Sequence, residues 1–490
     1  MPDYGLLEPG THHIASLTDD DAFLRCLVEV EIAWVRAQAA AGLVSPERAD
    51  AVSAVADPEV FSASFDPADI AARSEGGGNP VIPMLGDLRA AVKTIDPSAL
   101  KAIHRGLTSQ DVMDTALMLM TRRVLDRIRD DLDGVCVTLA HLAEEHRATP
   151  AVARTLTQHA LPSTFGLRCA RWLQGLLDAR EALLSVTPMV SVGGAAGTLA
   201  GTAALLAPTQ ADRNEQNQSA DEDLAAAVAD LNAAWASELG LAPAAHVWHT
   251  NRGVVLRHAD ALAETTAALG AIANDVLVLS RPEVAELREP TAPGRGVSSA
   301  MPQKQNPVLS VLIKRSALSA PQQMAQLHLA AAGVVDERPD GAWHAEWPVF
   351  RTLLRLSATA VTQSRELLEG LQVLPEAMLA NLRQAGPGVV AERIAAVLGP
   401  VITATSGADG KAAVQRAIGD GAGDADRTVA LLQELTADTV LDDGRAVTPD
   451  LLRELCDPTT YTGLSTQLVD AAIQRFRRAG IQSASSHQTN

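Results

Sequence analysis

Residues 294–307 read Gly-Arg-Gly-Val-Ser-Ser-Ala-Met-Pro-Gln-Lys-Gln-Asn-Pro, and the rest of the chain is organised around this stretch. Its first half consists mostly of small residues, which indicates a loop that can move. Its second half places Lys304 before Asn306 and Pro307, which are typical of a helix N-cap and a first helical position. We therefore expect a helix from residue 307, with Lys304 and free backbone N–H groups at its positive end.

Two hydroxyl side chains, Ser298 and Ser299, precede this helix start. A hydroxyl beside fixed hydrogen-bond donors can transfer a proton when its alkoxide is stabilised. The alternative is a Gly/Ser hinge that only connects two helices. The particular order of residues favours a catalytic loop over a hinge.

Composition excludes several classes of function. The 490 residues carry a formal net charge of −19, which argues against nucleic acid or an anionic membrane as a partner. Four scattered cysteines without a C-x-x-C pattern indicate reduced thiols, and the N-terminus lacks a signal-peptide pattern, so we expect a cytoplasmic protein. The weakly polar run 189–207 lies between two prolines, and we interpret it as a loop and helix of small side chains.

Helical periodicity dominates the chain. Apolar residues recur at spacings of three and four over 20–42, and again from Thr108 or Ser109, the expected N-cap, to Pro150. Further long helices are predicted at 163–186, 221–239, 252–280, 307–331 and 348–371. Because no sustained period-two alternation appears, the fold class is all-α with an elongated helical bundle and no substantial sheet.

The predicted organisation has three parts. Residues 1–110 form an N-terminal helical domain, residues 111–371 a central bundle of long helices, and residues 372–490 a small C-terminal helical domain. Within the last part, residues 405–424 are rich in Gly, Asp and Ala, and we expect them to be irregular.

The loop resembles the signature of the fumarase/aspartase superfamily, whose pattern is G-S-S-x-M-P-x-K-x-N-P. Every fixed position is kept except the leading glycine, which is Val297 here. The resemblance implies an all-α homotetramer built around a central bundle, with active sites shared among chains. It also implies a small anionic di- or tricarboxylate substrate and no cofactor.

The resemblance implies roles for individual residues. Ser298 is expected to be the base that removes a proton next to a carboxylate, with Lys304 stabilising the charge that develops. Thr108 and Ser109 match a T-S-x-D segment that contacts a substrate carboxylate, and His104 is a further binding candidate or a surface histidine. The remaining substrate contacts of the loop are expected from Met301 and Asn306.

Residues 154–160, Arg-Thr-Leu-Thr-Gln-His-Ala, match a third segment that reads R-T-H-x-Q-x-A in most of these lyases. Leu156 replaces the histidine that assists the general acid. This is similar to the bacterial 3-carboxy-cis,cis-muconate cycloisomerase branch, which also lacks it. Gln158 is expected to bind substrate, and His159 is either the proton donor or a buried structural histidine.

Two arginines near matching segments, Arg338 and Arg295, are candidates for clamping a carboxylate, unless they form surface ion pairs. Glu286 is expected to orient a neighbouring polar group. His246 and His249 have a metal-like spacing, but no third ligand accompanies them, so we expect no metal. No glycine pattern for nucleotide binding is present, so no nucleotide cofactor is expected.

The chain departs from the cycloisomerase branch at three positions. The loop has Gln303 and Gln305 where the branch usually has histidine and arginine, and Gly253 stands where an acid usually follows Arg252. We expect these changes near the substrate, which favours a substrate other than a tricarboxylic muconate. The first hypothesis is a lyase that splits nitrosuccinate, or another substituted succinate, to give fumarate. The alternatives are the lactonising cycloisomerase and a non-catalytic structural relative.

Overall fold

The computed structural model describes residues 5–207, 218–297, 301, 304–437 and 439–481, with the backbone alone for residues 218–221. The chain divides into two compact units. The first unit comprises Met1–Asp131, Ala179–Gly270 and Leu312–Gln363, and the second comprises Leu132–Asp178, Ala271–Val311 and Ser364–Asn490. The three-domain organisation that the sequence suggests stays a prediction beside this division.

The described chain is mainly helical, which confirms the all-α class. Its α-helices are α1 (Ala15–Thr18), α2 (Asp20–Ala40), α3 (Pro46–Ser53), α4 (Pro58–Ser64), α5 (Pro67–Ser74), α6 (Val81–Ile95), α7 (Ser109–Glu145), α8 (Phe165–Ser185), α9 (Ala200–Leu206), α10 (Gln218–Leu239), α11 (Gly253–Leu279), α12 (Val308–Ala332), α13 (Gly341–Glu369), α14 (Pro375–Gln384), α15 (Ala391–Ser406), α16 (Gly410–Gly421), α17 (Ala425–Leu435), α18 (Pro449–Cys456) and α19 (Ser465–Arg478). Short 3-10 helices are Thr11–Ile14, Ala54–Ala56, Glu75–Gly77, Pro97–Ala102, Pro387–Val390 and Pro458–Thr460.

Two small antiparallel sheets accompany the helices. The first is a hairpin in the second unit, and the second joins two strands of two residues each. The strands are β1 (Pro150–Thr155), β2 (Gln158–Thr164), β3 (Leu287–Arg288) and β4 (Gln372–Val373).

Local sequence explains where several helices begin. The Asp19 carboxylate accepts a hydrogen bond from the Ala22 N–H and caps α2. Helix α3 begins with Pro46 after Ser45, because proline lacks the N–H that would be left unpaired there. Helix α7 begins at Ser109 and extends over 37 residues, about 55 Å at ~1.5 Å per residue.

The apolar stripe predicted for α7 forms part of the core. Leu117, Val124, Ile128, Val135 and Leu139 are each at most 4% exposed. Burial of such side chains contributes roughly 1.5–3 kcal/mol each, so packing rather than intrinsic propensity holds this long helix in place.

Two local predictions were wrong. Helix α13 begins at Gly341 rather than at residue 348, so Pro348 lies inside the helix. Trp343, in the turn before Pro348, is buried, and its packing helps to stabilise this first part of the helix. Residues 410–421 form helix α16 rather than an irregular segment. A Cβ at Gly410 would lie 2.0 Å from the Gly399 carbonyl oxygen, so glycine here allows α15 and α16 to cross closely.

By length and composition alone, two helical stretches of the described chain would be able to cross a membrane, Gly253–Leu279 and Pro387–Ser406. Of the 18 most apolar consecutive residues in each, 50% are buried in the first stretch and 39% in the second. Because core helices of soluble proteins pass the same test, these stretches are weak evidence for a membrane span.

Candidate active site

The base of the signature loop is closed by backbone pairing. Val297 and Gln305 form an antiparallel bridge, and the N–H of Asn306 donates to the Gly296 carbonyl at 3.0 Å. The Asn306 Nδ2 donates to the same carbonyl at 3.2 Å. Gly296 has φ +68°, and a Cβ there would lie 2.7 Å from the backbone carbonyl oxygen of Asn306. This position at the foot of the loop therefore requires glycine. Asn306 therefore holds the loop base together.

The proposed base Ser298 lies outside the described residues, as do Ser299, Ala300, Pro302 and Gln303. Val297, which replaces the usual glycine of the pattern, is two-thirds exposed at the bridge. Met301 and Lys304 are described and exposed.

The start of α12 differs from the prediction. The helix begins at Val308, and the buried Glu289 carboxylate accepts hydrogen bonds from the N–H groups of Leu309 at 3.0 Å and Ser310 at 2.8 Å. A carboxylate at a helix N-terminus is also favoured by the helix dipole. The row of free N–H groups that we expected at this end is thus partly occupied by Glu289.

The third matching segment is the β1–β2 hairpin. Arg154 pairs with His159 and Thr155 with Gln158, across a two-residue turn in which Leu156 and Thr157 have φ values of +48° and +69°. A turn with two positive φ values usually contains glycine or asparagine, so neither residue signals it in the sequence. Gln158 and His159 are both exposed in the described chain.

Within the second unit, Arg154 connects the hairpin to the rest of that unit. Its guanidinium donates to both oxygens of Glu286, at 2.7 Å and 3.3 Å, and the Asn381 amide donates to Glu286 at 2.8 Å. The Glu286 side chain is only 2% exposed. Glu286 therefore orients Arg154 and, through it, the strand that pairs with Gln158 and His159.

In the first unit, Asp111 organises the T-S-x-D segment. Its carboxylate accepts from the N–H groups of Thr108 at 2.8 Å, Gly193 at 2.8 Å and Gly194 at 3.1 Å, and from the ring of His249 at 2.8 Å. Asp111 and all four of these partner residues are buried. The segment is therefore held rigidly, with the half-buried Ser109 at the first position of α7.

Arg252 belongs to a buried ion cluster. It donates to both oxygens of Asp114, at 2.8 Å and 3.0 Å, and to both oxygens of Glu346, while Trp343 donates to Asp114 at 2.9 Å. Although burial lowers it, Asp114 and Glu346 raise the pKa of Arg252 far above its ordinary value. The glycine at 253 thus leaves Arg252 fully paired, and this departure does not free a cation for substrate.

His104 is part of another pair in the first unit. Its ring Nδ1 lies 2.6 Å from Glu31, and its backbone N–H donates to the same carboxylate at 3.0 Å. Glu31 is fully buried and the His104 side chain is 17% exposed. His104 is therefore a partly buried, oriented side chain rather than a free surface histidine.

The two arginines that are candidates for clamping a carboxylate, Arg295 and Arg338, differ in their ion pairing. Arg295 pairs with Glu366 at 2.5 Å, so it would have to leave this carboxylate to clamp a substrate. Arg338 is half-buried and, among the described residues, makes no ion pair. Arg338, Thr108 and Ser109 belong to the first unit, whereas the loop, Gln158 and His159 belong to the second.

Two of the predicted site residues that the structure describes share a cavity. Lys304 and Asn306 line one cavity in the second unit. No described hydrogen bond joins either residue to Gln158 or His159. Glu289 and the bonds from Asp111 to Gly193, Gly194 and His249 were missed, because these partners lie far away in sequence. Among the described residues, no group of three or more His, Cys, Asp or Glu side chains is placed to hold a metal ion.

The chain also matches known proteins over most of its length. The protein family described as lyase matches residues 15–320. The chain is 43% identical to a nitrosuccinate lyase of Streptomyces davaonensis, over 96% of this chain and 94% of that protein. It is 34% identical to a 3-carboxy-cis,cis-muconate cycloisomerase of Bradyrhizobium diazoefficiens, over 94% of this chain and 95% of that protein.

A solved structure is similar over the whole chain. The 3-carboxy-cis,cis-muconate lactonizing enzyme of Pseudomonas putida aligns with a TM-score of 0.81 and 29% identity, covering 97% of this chain and 99% of that chain. The chain therefore belongs to the lyase family of the fumarase/aspartase superfamily, in the branch that resembles 3-carboxy-cis,cis-muconate cycloisomerase.

Proposed function

We propose that this lyase eliminates nitrite from nitrosuccinate and releases fumarate. The observation that carries the proposal is the 43% identity with a nitrosuccinate lyase, which extends over nearly the full length of both chains. The 34% identity with a cycloisomerase is lower over a similar length.

The chemistry requires a base and a charge-stabilising group. Ser298 accepts the proton from the carbon next to one carboxylate, and the charge develops on the oxygens of that carboxylate. The C–N bond then breaks, the electron pair leaves with nitrite, and the C=C bond of fumarate forms. Lys304 stabilises the developing charge, an effect that a water-excluded site strengthens.

Nitrite is a stable anion that needs little protonation as it leaves. An acid histidine is therefore dispensable, and Leu156 at the hairpin turn is compatible with the reaction. His159, exposed on β2, is the proposed proton donor if one is required. Gln158, Thr108 and Ser109 supply polar contacts to the substrate.

We propose a cytoplasmic homotetramer with shared sites. Helix α12 exposes Val311 (52%) and Leu318 (64%), one heptad apart, and Leu329 (68%) farther along. Exposed apolar side chains along a long helix suit packing against another copy. The four cysteines are buried and none forms a disulfide in the described chain, as suits a reducing compartment.

The cycloisomerase reaction is the second candidate, because the TM-score of 0.81 relates the fold to a lactonizing enzyme. A non-catalytic relative is the third candidate, although Ser298, Lys304 and Asn306 are all retained. The deciding experiment incubates the purified protein with nitrosuccinate and, separately, with 3-carboxy-cis,cis-muconate. We expect equal amounts of fumarate and nitrite from the first. A lactone from the second without nitrite from the first would establish the cycloisomerase, and no reaction with either would favour the non-catalytic relative.

A further inference from the structure

A cavity of about 680 Å³ in the second unit is lined by three cationic side chains, Arg281, Arg288 and Lys304. All three are exposed, and none makes an ion pair with another described residue. Three like charges around one cavity repel each other. In a chain with a net charge of −19, such a local concentration of positive charge indicates a site for an anion.

The acidic residue of the described lining is already engaged. Glu289 lines the cavity, but its two oxygens accept the hydrogen bonds from Leu309 and Ser310 at the start of α12. In the described chain it forms no ion pair with either arginine. The described lining keeps a net positive charge, available to a ligand.

The backbone holds the two arginines in a fixed frame. The Arg281 carbonyl accepts from the N–H groups of Val284 at 2.9 Å and Ala285 at 2.7 Å, and Ala285 has φ +50°. This tight turn leads directly to β3, where Leu287 is buried and Arg288 is exposed, as the alternation of a strand requires. Only the side chains of the arginines remain to be ordered by a ligand.

We propose that Arg281 and Arg288 recognise the carboxylates of the substrate, with Lys304 beside them. This inference rests on the proposed function and adds specificity-determining residues to it. Each guanidinium can bind a carboxylate with two parallel hydrogen bonds, which a lysine cannot do. A four-carbon diacid presents two such anionic ends, and the cavity has the size of a typical small-molecule site. Arg295, by contrast, is already paired with Glu366.

Calorimetric titration of the full-length protein with fumarate tests the proposal without requiring turnover. Arg281→Gln and Arg288→Gln are each expected to weaken fumarate binding by about 10- to 100-fold, because each removes charge-assisted hydrogen bonds. Arg288→Lys keeps the positive charge but not the two parallel N–H donors, and should recover part of the lost fumarate affinity. The matched control is Arg416→Gln, an exposed arginine on α16 away from the cavity, which should bind like the wild type.

Kinetics with nitrosuccinate give a second readout. If the arginines bind the ground state and the transition state equally, KM rises about as much as the fumarate dissociation constant while kcat changes less than about threefold. Fumarate affinity within about twofold of the wild type in both glutamine variants would overturn the proposal. If the wild type binds fumarate but releases no nitrite, the proposed function fails, and the titrations still decide the role of the arginines.

Discussion

The ring of His249 donates from Nε2 to Asp111 Oδ1 at 2.8 Å, and neither side chain is more than 1% exposed. The same carboxylate accepts from the backbone N–H groups of Thr108, Gly193 and Gly194. A Cβ at Gly193 would lie 2.6 Å from the His249 ring, so the loop packs directly against it. Three segments distant in sequence are thus joined through one carboxylate.

Asp111→Asn should destabilise the protein by about 2–4 kcal/mol, because an amide offers one acceptor oxygen and turns its N–H₂ toward other donors. Denaturant unfolding of the variant measures this. Asp420→Asn, at an exposed position of α16, is the control and should change the free energy of unfolding by less than about 0.5 kcal/mol. An Asp111 variant as stable as the control would show that the bonds to Asp111 contribute little.

The Arg154–Glu286 pair should contribute to both stability and activity. Glu286→Gln leaves the Arg154 guanidinium with a weaker partner, so we expect a loss of about 1–3 kcal/mol in stability and at least a tenfold lower kcat/KM. The reason is that β1, which carries Arg154, pairs with the strand of Gln158 and His159. The control is Glu376→Gln, an exposed position on α14. Full activity in the Glu286 variant would separate the hairpin from catalysis.

Glu346 should make stability depend on pH. Burial raises its pKa above the ordinary value of 4.5, Arg252 opposes this shift, and the Asp114 charge adds to it. Because the folded state holds the proton more tightly than the unfolded state, this contribution is full below pH 4.5 and is lost as the pH rises through the raised pKa.

Relative to Glu346→Gln, the wild type should therefore lose stability as the pH rises above 4.5, by at most about 1.4 kcal/mol per pH unit. Parallel denaturant titrations of both proteins across this range provide the measurement. A stability difference that stays constant with pH would mean that Glu346 is ionised throughout.

The cysteines should be unreactive in the folded protein. Burial raises the pKa of Cys26 to about 12 and that of Cys456 to about 11, and it also raises the pKa of Cys169. At pH 8 the thiolate fraction of Cys456 is then on the order of 0.1%, and reagents attack the thiolate. Alkylation followed by mass spectrometry should find no modification under native conditions and four after unfolding in urea. Rapid labelling of one native thiol would contradict this burial.

Elements with strong local signals were predictable from the sequence. Helices α2 and α7 combine a polar cap with a long apolar stripe, so Asp19 and Ser109 mark their starts within a residue. The β1–β2 hairpin was not predicted, because its turn residues Leu156 and Thr157 do not favour the positive φ values they adopt. Tertiary pairing of Arg154 with Glu286 helps to hold this hairpin instead.

The candidate site was predictable in its motifs but not in its contacts. The order of residues around Lys304 indicates the loop, yet nothing nearby in sequence shows that Glu289 caps α12 or that Asn306 clamps Gly296. Likewise, only folding places Arg281 and Arg288 around one cavity with Lys304. The sequence of one chain does not predict which distant residues its charged side chains will contact.

The most direct test of the account compares nitrite release from nitrosuccinate by the wild type and by Ser298→Ala. We expect the wild type to release nitrite and fumarate in equal amounts. The variant should keep the circular dichroism spectrum of the wild type and lose at least about 10³-fold in kcat, because the base of the first step is gone. A variant that retains the wild-type rate, or a wild type that releases no nitrite, would contradict the account.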